Sequence, residues 1–357
     1  MKTLLTILVS TLLLVCCLNK TDQNKTDTLD IDLKSESKNL FKSITSLPHA
    51  NLPENYQQLN NPANITSINL NDEMSDKSVL GKMLYFDKGL SKDGNISCNS
   101  CHNLNSYGVD NLSTSPGDEK KLGGRNSPTV IYASLHANQF WDGRAKDVEE
   151  QAGMPILNPV EHNIPSQKFL VNRIKGIEKY KHLFKKVFPN DNDPITYKNL
   201  TNAIGDFERK LIPISRFDKW LDGDDSQLKE QEKKGLRVFI DNGCVSCHNG
   251  IALGGQTMQK FGIHDNYWKY TKSKKIDNGL GDLTKNINDQ YIFKTPSLRN
   301  IEKTHPYFHD GSVKDLKEAV KIMSKVQNNT ELPDEELEDI VAFLKSLTAD
   351  VDKKYKE

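Results

Sequence analysis

The chain has 357 residues and carries 48 basic and 48 acidic side chains, so its formal net charge is zero. With Lys interleaved among Asp and Glu there is no basic excess to offset a phosphate backbone, which excludes nucleic acid as a partner class. The length is enough for two domains, each with its own core.

The first 17 residues, MKTLLTILVSTLLLVCC, place one basic residue ahead of an apolar run from Leu4 to Val15. That run is too short to cross a bilayer but fits the core of a signal peptide, so export is expected. Leu14, Val15, Cys16 and Cys17 resemble a loose lipoprotein signal in which one cysteine becomes the lipid-bearing N-terminus. The other reading is that both cysteines leave with the signal. Residues 18–65 are polar and, until Phe41, poor in aromatics, as a flexible tether would be. An exported, tethered chain belongs in the cell envelope, in the periplasm.

Beyond the tether the clear apolar periodicity is helical. Val79, Leu80, Met83 and Leu84 share one face, as do Leu200, Ile204, Phe207 and Leu211. Ser312 and Asp315 resemble a capping box ahead of Leu316, Ala319, Val320 and Met323. Pro333 stands near the first position of a helix aligning Leu337, Ile340, Val341, Leu344 and Leu347. Long loops over 103–130 and 249–300 exceed ordinary connections and are expected to be functional.

Cys98-Asn-Ser-Cys101-His102 and Cys244-Val-Ser-Cys247-His248 each spell C-x-x-C-H. In this pattern two thiols form thioethers to a porphyrin and the adjacent imidazole takes the iron. A redox dithiol has no need of the adjacent histidine, and a zinc site would need its ligands to converge on one ion. The expectation is a mostly α chain of two cytochrome-c-like helical domains, each with one covalently attached c-type haem. Residues 66–215 and 216–349 form the two domains, and 350–357 a tail.

The blocks LGKMLYFDKGLSKDGNISCNSCHNL, GGRNSPTV, QFWDGRA, KGLRVFIDNGCVSCHNG, TPSLRNI, PYFHDGSVKDLKEAVKIM and ELEDIVAFLKSL resemble, in that order, the bacterial dihaem cytochrome c peroxidases. The resemblance implies reduction of hydrogen peroxide with electrons from a small cytochrome c or cupredoxin, in a periplasmic homodimer. It makes His102 the iron ligand of the N-terminal, peroxidatic haem and His248 that of the C-terminal, electron-transfer haem. Met323 reads from spacing as core packing, whereas the resemblance makes it the second ligand opposite His248. A thioether there would favour ferrous iron and let that haem store an electron. Glu161 aligns with the family's distal acid/base and Gln151 with its amide partner. Trp141 aligns with the aromatic between the haems, and Asn126, Thr304 and Pro306 with a calcium site. His162 reads as a surface residue, with a second proton relay as the other reading, while His49, His136, His182, His264, His305 and His309 receive no role from spacing.

One position departs from the pattern. Where much of the family carries a histidine that caps the oxidised peroxidatic iron, an ungapped count places Asp118, and the loop TSPGDEKKLGG contains no histidine. A hard carboxylate is a poor low-spin ligand, so an open peroxide site is expected, with Lys120 and Lys121 the substitutes from the same loop. Two other readings stand beside the peroxidase. One is the related tryptophan-oxidising dihaem enzyme, which has tyrosine where Met323 stands here. The other is a dihaem electron carrier without peroxide chemistry.

Overall fold

The computed structural model describes residues 32–42, 44, 74–273 and 275–356. The signal peptide, Cys16, Cys17 and most of the tether lie outside the described residues. Among the described residues no helix is long and apolar enough to cross a membrane.

Helices dominate. After α1 (32–40) come α2 (Asp76–Phe86), α3 (Cys98–Cys101), α4 (Val148–Leu157), α5 (Gln167–Lys175), α6 (Glu178–Val187) and α7 (Tyr197–Glu208). The second half adds α8 (Arg216–Leu221), α9 (Glu230–Asp241), α10 (Trp268–Thr271), α11 (Leu280–Thr284), α12 (Leu316–Asn328) and α13 (Asp334–Lys345). One small antiparallel pair, β1 (Met258–Lys260) and β2 (Ile292–Lys294), sits in the second half with Gln259 opposite Phe293.

Each half is organised by a crossing of two helices at a glycine. A Cβ on Gly81 of α2 would lie 1.8 Å from the carbonyl oxygen of Ala203 in α7, and one on Gly235 of α9 would lie 1.8 Å from that of Asp339 in α13. Only a residue without a side chain lets these backbones meet. The expected stripe is fully inside, with Leu200, Ile204 and Phe207 of α7, and Leu211 just beyond its end, all at 0–1% exposure. One helix start differs from expectation and another agrees. Asp315 itself caps α12 by accepting from the Glu318 N–H at 2.8 Å, and Ser312 takes no part in a capping box. Pro333 occupies the cap of α13, one position ahead of the first helical residue.

The hydrophobic side chains gather into a first core reaching from Leu80 to Ile212 and a second built on Phe217, Trp220, Leu236, Phe239, Ile340 and Phe343. The stretch read as tether is partly ordered. Leu33 and Phe41 are buried in the second core, and Ile44 in the first. Glu36 pairs with Arg237 at 2.6 Å, and Leu40 offers its carbonyl to the Gly250 N–H at 2.8 Å. The few apolar residues of this otherwise polar segment meet the two cores from α1 and the residues after it, and their scarcity is why they read as part of a tether. The terminal stretch read as a tail returns to the first half, where Val351 and Tyr355 join its core and Tyr355 lies 6.3 Å from Phe207.

Phe41 is 0% exposed and meets Phe217 edge-on with ring centroids 5.6 Å apart. Phe41→Ala should therefore destabilise the second domain by about 3 kcal/mol. Urea unfolding of the purified variant measures this, and a midpoint equal to the parent's would show that the segment adds no stability.

Candidate functional site

The first attachment motif forms a single helical turn, α3, opened by the Ser97 N–H donating to Ser100 Oγ at 3.0 Å. His102 follows as its cap, its N–H bonded to the Cys98 carbonyl at 3.0 Å. The ring is oriented by Nδ1, which lies 2.9 Å from the Pro128 carbonyl. A carbonyl can only accept, so Nδ1 carries the proton and Nε2 keeps its lone pair for a metal. In the second motif His248 is held the same way, with Nδ1 3.2 Å from the Leu253 carbonyl. Burial lowers the pKa of both rings, His248 to about 4, so each imidazole is neutral and competent to ligate.

The four cysteines are free and half-buried. Burial raises the thiol pKa of Cys101 and of Cys244 to about 11, and that of Cys98 further still. A redox-active dithiol needs the opposite shift. Among the described residues no three His, Cys, Asp or Glu side chains group to hold a metal ion. The motifs thus fit two separate covalent haem attachments.

A cavity of about 560 Å³ takes in both motifs. Cys98, Cys101 and His102 line it from the first half and Cys247, His248 and Met323 from the second, while Cys244 packs beside the second core. Leu316, Ala319 and Val320 of α12 line it beside Met323, an apolar wall suited to a porphyrin face. Met323 is also packed against a third apolar cluster, so both readings of it find support in its surroundings.

Glu161 and Gln151 line the same cavity. The turn after α4 folds back on that helix, with the Glu161 N–H bonded to the Asn158 carbonyl at 3.0 Å and the His162 N–H to that of Pro155 at 3.2 Å. Asn158 Nδ2 donates to Glu161 Oε1 at 2.8 Å, which leaves Oε2 for a ligand. Burial raises the Glu161 pKa against the opposing pull of Arg144 and the Asn158 hydrogen bond. Arg144 is another cavity residue, held by Asp142 at 2.8 Å with its guanidinium 3.5 Å from the Phe140 ring centroid. Its place in QFWDGRA carried no separate signal.

His162 is not on the surface. It is 4% exposed, lines the cavity, and contacts the Leu90 carbonyl through Nδ1 at 3.0 Å. Burial lowers its pKa to about 4. The fold-back of the 158–163 turn, invisible in a single sequence, puts it inside.

Asp118 is buried but does not line the cavity. Its carboxylate accepts from the backbone N–H of Asp93 at 2.8 Å and of Asn95 at 3.1 Å, and its own N–H donates to the Glu161 carbonyl at 2.8 Å. Asp118 therefore pins the attachment loop to the strip that carries Glu161. Lys120 and Lys121 are exposed, and Lys121 pairs with Glu119 at 2.7 Å.

Trp141 donates its indole N–H to the Asn126 carbonyl at 2.9 Å and stands edge-on to His309. Asn126, Thr304 and Pro306 line the cavity, drawing on both halves. Asn126 spends its amide NH₂ on the Leu112 carbonyl at 2.9 Å, so its Oδ1 is the atom that remains for a cation. The halves are clamped nearby by Arg125, which makes a two-point contact with Asp277 at 2.7 and 2.9 Å and a third bond to Asp142 at 2.7 Å.

The di-haem cytochrome c peroxidase family matches residues 75–226 and the cytochrome c family residues 232–348. The chain is 47% identical over 279 residues to the cytochrome c551 peroxidase of Nitrosomonas europaea, covering 78% of this chain and 81% of that one. It is 44% identical over 293 residues to the cytochrome c551 peroxidase of Pseudomonas aeruginosa, covering 80% and 83%. A solved MauG-like protein associated with microbial copper homeostasis superposes with a TM-score of 0.70 at 27% identity, covering 81% of this chain and 95% of that one.

The Asp118 carboxyl is pushed up by burial, yet its two backbone hydrogen bonds and that from Ser91 outweigh this and leave its pKa lowered. A lowered folded-state pKa contributes stability that is full above the ordinary carboxylate value and fades as pH falls through the lowered one. Asp118→Ala should cost about 1–3 kcal/mol at pH 7, with the gap to the parent narrowing in acid. Urea titrations at several pH values measure it, and a gap that widens toward low pH would contradict this role.

Proposed function

Since the chain belongs to the di-haem cytochrome c peroxidase family, we propose that it reduces hydrogen peroxide to water, with electrons from a small cytochrome c or cupredoxin. The observation that carries this reading is a cavity lined by both C-x-x-C-H imidazoles and by the half-buried carboxyl of Glu161. The reaction consumes two electrons and two protons per peroxide, while such donors deliver electrons one at a time. Held through His102 and through His248 with Met323, two c-type haems would supply the redox chemistry, one as peroxide site and one as electron store.

The polypeptide handles position and protons. Asn158 holds Glu161 Oε1, so Oε2 is the atom that takes a proton from the near oxygen of peroxide and returns it to the departing one. Its raised pKa favours the return, since a carboxyl that keeps its proton more readily is the better acid. Gln151 orients the peroxide through its amide, and Arg144 offers a fixed positive charge beside the carboxylate. Trp141 lies between the halves as the aromatic element of the electron's route.

We assign calcium to Asn126, Thr304 and Pro306, through the Asn126 side-chain oxygen and two backbone carbonyls. Because these come from both halves, the ion would order their junction beside Trp141. By kinship the enzyme works in the periplasm as a homodimer, and lipidation at Cys16 or Cys17 would fasten it to the membrane.

Glu161→Gln should remove most peroxide turnover while both haems stay attached and reducible, because it deletes a proton carrier and no iron ligand. Steady-state assays against the parent's haem spectrum test this, and turnover within a few-fold of the parent would exclude Glu161 as the acid/base.

With Asp118 turned away from the cavity, its carboxylate cannot cap the haem that His102 would hold. The oxidised protein should then show a high-spin component beside a low-spin one, bind cyanide before any reductant is added, and turn over without a lag. Two low-spin haems that ignore cyanide would instead favour an electron carrier.

A further inference from the structure

Resting on the reading that haem occupies the cavity, we propose that Lys294, held in place by His136, binds a carboxylate of the bound porphyrin, one of its propionates. Both residues line the cavity and both are almost fully buried, at 6% and 5% exposure. Lys294 lies on β2 of the second half and His136 in the first, and the halves are stitched together around them. The Lys294 N–H donates to the Trp141 carbonyl at 2.7 Å, and the Ala137 N–H to that of Gly255 at 2.8 Å.

The donor count points to an anion. An ammonium has three N–H groups; Lys294 Nζ gives one to His136 Nδ1 at 3.2 Å and one to the Asn138 carbonyl at 3.0 Å. Because Nδ1 accepts, the ring proton of neutral His136 sits on Nε2, and that atom is buried without a hydrogen-bond partner. The third N–H of the ammonium is thus left over on a lysine that lines the cavity, while His136, through Nδ1, holds Nζ in place.

Charge points the same way. No carboxylate of the described residues forms an ion pair with Lys294, and the acidic group that acts on it from farther off, Asp142, is already bonded to Arg125 and Arg144. Burial lowers the Lys294 pKa to about 7 and holds His136 well below the usual imidazole range. A buried cation of this kind is stable only with a counter-charge. In a cavity that takes in both haem-attachment motifs, the porphyrin's own carboxylates supply it. The same residues, joining both halves, then couple the docking of the domains to the seating of the cofactor.

The test uses the holoprotein, with haems per chain counted first from the alkaline pyridine spectrum. Fewer than two in the parent would overturn the two-haem reading and this proposal with it. With two present, Lys294→Met removes a positive charge beside a haem and should lower the reduced-to-oxidised ratio of at least one haem about tenfold at a fixed ambient potential, equal to about 59 mV for a one-electron couple. It should also shift a propionate bending band in resonance Raman, and Lys294→Arg should keep ratio and band near the parent's. His136→Gln should move the same band with a smaller change in ratio, and decides the matter if Lys294→Met does not fold. An unmoved band, with or without a change in ratio, would overturn the proposal.

Discussion

The two domains depend on one fully buried ion pair. Asp218 accepts two hydrogen bonds from Arg299, at 2.8 and 2.9 Å, and neither side chain has any exposure. The same carboxylate takes the Ser215 hydroxyl at 2.6 Å, the Ser215 N–H at 2.9 Å and the Ile44 N–H at 3.1 Å. It therefore starts α8, receives the incoming N-terminal segment and fixes the connection between the halves. Arg299 reaches further, giving Nε to the Ile251 carbonyl at 2.6 Å and lying 5.1 Å from the centroid of Tyr132, a residue of the first half. Losing one partner of such a pair costs about 3–5 kcal/mol because the other charge stays buried.

Around that joint, burial sets the chemistry. It lowers the pKa of His102 and His248, which leaves both imidazoles neutral, and raises that of the Glu161 carboxyl. Each shift has the same origin, the cost of a charge in a poorly solvated space, and the differences come from which hydrogen bonds oppose it. Asp118 is the counter-example, since enough N–H groups converge on its carboxylate to reverse the sign. A position that carries an iron-capping histidine in much of the family is here a pin for the loop beside Glu161.

Much of this could be read in the chain. C-x-x-C-H is legible because covalent attachment demands thiols and an imidazole at fixed separations within one turn, so the spacing carries the chemistry. The stripes of α7 and α13 are legible because an apolar face repeats with the helix. The pattern failed where local and long-range partners compete. Ser312 lost the cap of α12 to Asp315, which sits one residue before the helix. His162 looked exposed because nothing near it in sequence shows that its turn folds back onto α4.

The sequence by itself determined the helical class, the two haem-attachment motifs and, by resemblance, the roles to look for in Glu161, Gln151, Trp141 and Met323. Only the tertiary structure decided that one cavity takes in both motifs, that Asp118 faces the backbone of Asp93 and Asn95, and that Leu33, Phe41, Ile44, Val351 and Tyr355 contribute to the two cores. It also brought Lys294 beside His136, two residues 158 positions apart. The reason is physical: periodicity and motif spacing record forces acting within a turn or two of chain, whereas burial and counter-charge are set by whatever segment arrives from elsewhere.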